Sequence, residues 1–172
     1  VLRPGNGKTK EARQWVYLRD ERSHQGNAPP AVFYRYTPDR KGEHAQKELA
    51  DYTGYLHADG YGGYNKLYKP DQTGNTRVQE VACWAHVRRK IHDVYVTTDS
   101  SLAKEGLDLI GQLFEVERKI KGKPIKERYQ VRQAKAVPIL NAIKSYFDTS
   151  LRKIPGKSEL AGAMRYALNR WK

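Results

Sequence analysis

Apolar positions fall into two regimes along the chain. In the first part they come in short runs bounded by turn residues: Trp15-Val16-Tyr17-Leu18, Ala31-Val32-Phe33-Tyr34-Arg35-Tyr36, Tyr55-Leu56-His57-Ala58 and Val78-Gln79-Glu80-Val81-Ala82-Cys83. Runs of this length, rich in aromatic and β-branched residues, predict four strands. The polar loop between the first two makes them antiparallel neighbours. Between the second and third, Ala45, Leu49 and Tyr52 lie at helical spacing, which predicts a short helix over 43–52. Thr53-Gly54 breaks it, and the third strand reads as a buried one. Residues 64–68 fit a single helical turn, stopped by Lys69-Pro70.

Beyond the fourth strand the period becomes helical. Val87, Ile91, Val94 and Tyr95 share one face of a helix starting at Trp84, with Arg88, Arg89, Lys90 and His92 on the remaining positions. Strand–helix–strand–helix order with short links predicts parallel pairing of the third and fourth strands, hence an α/β sheet. From Asp99 onward only helices are expected. Ser100 or Ser101 caps one carrying Leu102, Leu107, Ile110, Leu113, Phe114 and Ile120, with Gly122 and Pro124 beyond its end. A second helical stretch, 125–154, contains Pro138, which either kinks it or begins a new helix. Ile139, Leu140, Ile143, Phe147 and Leu151 form its apolar stripe. Pro155-Gly156 ends it, and Ser158 caps a last helix carrying Leu160, Met164, Ala167, Leu168 and Trp171.

Charge sharpens this division. The 172 residues carry a formal net charge of +13, and residues 118–172 hold 15 Lys/Arg against 3 Asp/Glu. Residues 51–117, by contrast, hold 7 against 10. A cationic field of this kind attracts polyanions, nucleic acid foremost. No apolar run approaches the length of a membrane span, and no secretory leader pattern stands at the N-terminus. The single cysteine, Cys83, excludes an internal disulfide and fits a reducing compartment, with the cytoplasm as the expectation. The chain starts without Met, on Val1-Leu2, and stops at Arg170-Trp171-Lys172 within an amphipathic pattern, as a fragment would.

Two motifs tempt and fail. Gly5-Asn6-Gly7-Lys8-Thr9 lacks the earlier glycine of a phosphate-binding loop, where Leu2 stands, and reads as a tight turn. Cys83 and His86 have a spacing zinc could use, but no second pair exists to complete a four-ligand site. The remaining chemical candidate is Asp59. It follows the third strand and opens the run Asp59-Gly60-Tyr61-Gly62-Gly63-Tyr64-Asn65. Strand ends of this kind carry ligand chemistry in α/β sheets, although Asp-Gly is also a common turn.

Several segments together resemble one family. They are Gly7-Lys8-Thr9-Lys10, Trp15-Val16-Tyr17, Tyr34-Arg35-Tyr36, Ala58 to Asn65, Cys83-Trp84-Ala85-His86-Val87-Arg88-Arg89-Lys90, Gly156 to Leu160, Arg165 to Leu168 and Arg170-Trp171. In this order they look like the insertion sequence sixty-six family of bacterial transposases, across essentially the whole chain. The resemblance implies a ribonuclease H-like mixed sheet, incomplete because its first strand is mostly missing, over residues 1–96. It implies a basic, all-helical insertion over 97–172.

Such cores use two Asp and one Glu to hold two divalent ions, Mg2+ or Mn2+, for in-line attack on a phosphodiester. Asp59 matches the second Asp and is the implied catalytic and metal-binding residue. The first Asp would lie before Val1, whose Val1-Leu2 would be a strand tail, and the Glu after Lys172. Asp20, Asp93 and Glu159 do not stand in the matching context. The expectation is therefore a chain inactive by itself, whose complete protein cleaves and joins DNA at transposon ends. Lys8, Lys10, His86, Arg88, Arg89 and Lys90 are the implied contacts to double-stranded DNA, at the element's ends and its target. Self-association on DNA and accessory transposition proteins are further expected partners. The alternatives are a non-catalytic basic DNA-binding or assembly module, and a different ribonuclease H-like nuclease such as a junction resolvase.

Overall fold

A computed structural model describes residue 9, residues 11–22 and residues 26–171. The described residues fall into two compact units, one within residues 1–81 and the other within 82–172.

The first unit is built on two ladders. β1 (Arg13–Arg19) pairs antiparallel with β2 (Ala31–Thr37), in a register running from Arg13 opposite Thr37 to Arg19 opposite Ala31. Trp15 is the buried anchor of this hairpin. Its indole N–H donates to Thr37 Oγ1 at 2.8 Å, so the one polar atom of the ring is satisfied on burial. The face bearing Val16, Leu18, Val32 and Tyr34 is about half exposed or more. α1 (Gly42–Glu48) follows, tied back to β2 by the Arg35–Glu48 ion pair at 2.9 Å. It ends before Tyr52, short of the expected helix, and Gly54 then takes φ 117, a conformation closed to most side chains.

β3 (Gly54–His57) pairs parallel with β4 (Val78–Val81), as the element order predicts. Among the described residues the four strands form two separate two-stranded ladders. β3 is not the doubly buried strand its apolar run suggests. Leu56 is half-buried, but Tyr55 is 70% exposed and His57 is exposed. The expected helical turn at 64–68 begins earlier, as a 3-10 turn over Gly62–Tyr64.

The second unit is all helical: α2 (Trp84–Thr98), α3 (Ser101–Ile120), α4 (Ile125–Val131), α5 (Val137–Leu151) and α6 (Glu159–Leu168). Val87, Ile91 and Val94 of α2 join Leu107, Ile110 and Leu113 of α3, Phe147 of α5 and Met164 of α6 in one core. This packing puts α2 with the helices, so the compact units divide between Val81 and Ala82 rather than at the 96/97 division anticipated from the sequence.

Ser100 and Ser158 cap α3 and α6, accepting from Ala103 N at 3.3 Å and Ala161 N at 3.2 Å. Phe114, assigned to the apolar stripe of α3, is 37% exposed; Ala103, Gly106 and Val116 take the interior instead. Pro138 stands in the first turn of α5, the second of the two expected outcomes. A π-helical segment, Arg132–Ala136, separates α4 from α5, and the missing N–H of Pro138 falls in a first turn, where a helix tolerates it.

Candidate functional site

Asp59 stands two residues beyond the end of β3, where Ala58 N still donates to Val81 O at 3.3 Å. Its two carboxylate oxygens face different neighbours. Oδ1 accepts the backbone N–H of Tyr61 at 3.0 Å, an Asx turn made possible by Gly60 at φ 74. Oδ2 lies 3.8 Å from Nη2 of Arg40. The turn reading of Asp-Gly is therefore correct as geometry, and it leaves Oδ2 facing a cation at the strand end.

The ground beneath Asp59 is aromatic. Tyr61 and Tyr64 pack edge-to-face with ring centres 5.8 Å apart, and Trp15 meets both at 6.2 and 6.1 Å. The Arg40 guanidinium lies over the Tyr61 ring at 4.1 Å, and the Tyr61 hydroxyl donates to the Arg40 carbonyl. Burial, reinforced by the Asp59 charge, pushes the Tyr64 hydroxyl above its ordinary value, while Arg40 acts the other way. Tyr64 is thus a neutral wall of the site at physiological pH.

The glycines are placed by contact. Gln46 of α1 donates to Gly63 O at 3.1 Å, bringing the start of α1 against the turn. Arg40 belongs to the loop between β2 and α1. Thr37 Oγ1 donates to Asp39 O at 2.6 Å, and the Asp39 carboxylate accepts from Lys41 N at 3.0 Å and pairs with His44 Nε2 at 2.7 Å. These bonds hold the Asp39 carboxyl below its ordinary value, the Lys41 N–H foremost.

A metal-binding role for Asp59 can be tested against its donors. Among the described residues no three His, Cys, Asp or Glu side chains gather closely enough to hold a metal ion. Asp59 offers a single carboxylate, and these residues do not by themselves fit a two-ion centre.

The other candidates lie elsewhere. Arg88, Arg89 and Lys90 are exposed on α2, in the helical unit. Lys90 Nζ sits 5.1 Å from the Tyr166 ring, which Arg170 also covers at 4.4 Å. His86 differs from these cations, since it is half-buried and its Nδ1 is enclosed with no hydrogen-bond partner among the described residues. Lys8 and Lys10, with the Val1-Leu2 strand tail and the Gly5-Asn6-Gly7 turn, lie outside the described residues.

Two features were missed in the sequence. Arg40 carries no motif and reaches Asp59 only through the fold. Lys66, Lys69 and Arg77 line one concavity with Gln46 and Asp71, which no local pattern marks.

The sequence model of the transposase IS66 family matches residues 1–172. The chain belongs to that family. Relatives from Sinorhizobium fredii (strain NBRC 101917 / NGR234) align along almost all of it. The uncharacterized protein y4qI is 37% identical over 172 residues, which cover 99% of this chain and 32% of that protein. The uncharacterized protein y4jD is 33% identical over 171 residues, covering 99% and 34%. The chain thus spans about a third of the length of the curated relatives it matches. No solved structure matches it. Among the described residues no helix is long and apolar enough to cross a membrane.

Proposed function

We propose that these residues are the central part of a bacterial DNA transposase that acts in the cytoplasm. The complete protein cleaves phosphodiesters at the element's ends and transfers the strand to target DNA. The observation that carries this reading is the family match over residues 1–172. In support, Asp59 stands at the carboxyl end of a strand paired in parallel, where α/β folds keep their chemistry. On this reading the first unit belongs to a ribonuclease H-like core, and Asp59 is one of three acidic ligands for Mg2+ or Mn2+. The other donors come from the rest of the longer polypeptide. The helical unit supplies phosphate contacts through α2 and its basic exterior, which add affinity without reading sequence. A second reading is a basic DNA-binding or assembly module without catalysis of its own, which the 15 Lys/Arg against 3 Asp/Glu of residues 118–172 would serve.

The test is cleavage of the element's end DNA by the full-length protein, with Mg2+ or Mn2+, beside Asp59→Asn. Cleavage by the wild type and none by the variant supports the reading. Equal cleavage by both removes Asp59 from the site. Binding without cleavage by either favours the second reading.

A further inference from the structure

Arg40 is a rooted cation beside the Asp59 carboxylate. Its backbone carbonyl accepts from the Tyr61 hydroxyl, its guanidinium lies 4.1 Å over the Tyr61 ring, and Nη2 is 3.8 Å from Asp59 Oδ2. The loop that carries it is fixed on both sides, by Thr37 through Asp39 O and by Asp39 on Lys41 N and His44. Yet the side chain is 50% exposed, so a ligand can reach it from solvent. An ion pair at this distance between half-exposed groups is weak. A phosphodiester offers the same guanidinium short, bidentate, charge-assisted bonds, which are stronger. The ring beneath Arg40 holds the planar group against drift and reduces the ordering such contact requires.

We propose that Arg40 binds a backbone phosphate of the DNA held against Asp59, with the Asp59 carboxylate as its partner until DNA arrives. The inference rests on the transposase reading, and it names the group on this chain that brings the phosphodiester to the strand end. The step is an exchange of partners: the Arg40–Asp59 contact opens and guanidinium–phosphate hydrogen bonds form, with no covalent change. The Tyr61 side chain serves to position Arg40, through its ring and its hydroxyl.

The experiment measures binding of a labelled end-sequence duplex to the full-length protein in EDTA, by fluorescence anisotropy across a salt series. The readout is then independent of cleavage. Arg40→Ala is expected to weaken binding roughly tenfold at low salt. It should also lower the slope of log affinity against log salt by about 1. Arg40→Lys, which keeps the charge and loses the fork, should retain the slope and lose part of the affinity. Asp59→Asn should tighten binding more with Arg40 present than in the Arg40→Ala background, because it frees the guanidinium only where there is one. Melting curves of each variant separate a binding effect from a folding one. Wild-type-like affinity and slope in folded Arg40→Ala, or an Asp59→Asn effect equal in both backgrounds, overturns the inference alone. A wild-type protein that does not bind the duplex overturns it together with the transposase reading.

Discussion

Gly42 and Gly63 touch through their backbones: a Cβ placed on Gly42 would lie 2.5 Å from Gly63 O and 2.6 Å from its Cα. This contact, with the Gln46–Gly63 hydrogen bond, seats the first turn of α1 against the turn that carries Asp59. Gly42 is the first residue of α1, so alanine there gains little from helix propensity. The clash is with backbone, which cannot rotate away, and overpacking of this kind costs about 1–3 kcal/mol. Gly42→Ala is therefore expected to lower the melting temperature of the first unit. Gly63→Ala, whose Cβ would meet the Tyr61 ring and lie 2.9 Å from Gly42 Cα, should do the same and displace Tyr61. Thermal melts followed by circular dichroism check both. A variant as stable as the wild type would show that the two segments separate easily.

Thr37 links the hairpin to the Arg40 loop. Its hydroxyl accepts the buried Trp15 N–H and donates to Asp39 O. Thr37→Val keeps the shape and leaves the indole N–H without its partner, a loss of about 1–3 kcal/mol. Thr37→Ser keeps both bonds and should cost less. Urea denaturation followed by tryptophan fluorescence ranks the two. Equal midpoints would mean that the hydroxyl bonds contribute nothing measurable.

Gly106 gives the opposite sign to Gly42. It is buried inside α3, but a Cβ there would meet Phe147 Cε1 and Tyr146 Cε1 at 3.7 Å and Ile91 Cδ1 at 3.9 Å, all ordinary contacts. Gly106→Ala should therefore stabilise the helical unit by about 1 kcal/mol, from helix propensity with no packing penalty. A rise in melting temperature of a few degrees is expected, and a fall would mean the core has no room at that point.

The helical unit was the more legible part of the sequence. Ser100 and Ser158 mark helix starts by a local mechanism, and the stripe of Val87, Ile91 and Val94 repeats at helical spacing. Where that reading failed, the cause was competition between similar residues: Phe114 fits the period of α3, but Gly106 and Val116 take the interior. The hairpin and the parallel pair were legible from β-branched and aromatic runs. The exposure of Tyr55 was not, because a strand's covering comes from elements remote in sequence. The candidate site divides in the same way. Asp59 at a strand end is written in a dipeptide and its glycines. Arg40 beside it depends on the fold bringing the β2–α1 loop to the turn.

The bidentate pair of Arg132 with Glu117, both contacts at 2.7 Å, ties the π-helical segment to α3. The Arg132 hydrogen bond holds the Glu117 carboxyl below its ordinary value of 4.5. The folded value is the depressed one, so the pair's stabilisation is complete above the unfolded value. It is lost as pH falls through the folded value. Both side chains are nearly half exposed, which limits the contribution to about 0.5–1 kcal/mol. Glu117→Gln should therefore lower the melting temperature at neutral pH. The gap from the wild type should hold above the ordinary value of 4.5 and close as pH falls below it. A gap constant with pH would remove the ion pair as its cause.

The cations of α2 should separate by their surroundings. Arg88 and Arg89 are exposed, so each phosphate they contact adds its own share to the salt dependence of DNA binding. Replacing both with alanine is expected to lower the slope of log affinity against log salt by about 2, with little change in melting temperature. Lys90 stands over Tyr166 of α6. Its replacement should lower the slope by about 1 and also remove a cation–ring contact worth about 0.5–1 kcal/mol at an exposed site. Lys90→Ala alone should therefore show a melting shift together with a binding defect. Anisotropy titrations at several salt concentrations, paired with thermal melts, measure both quantities. Slopes unchanged by the double replacement would identify Arg88 and Arg89 as solvated surface cations and move the phosphate contacts to other basic positions, such as Arg152, Lys153 and Lys157, exposed around the turn before α6.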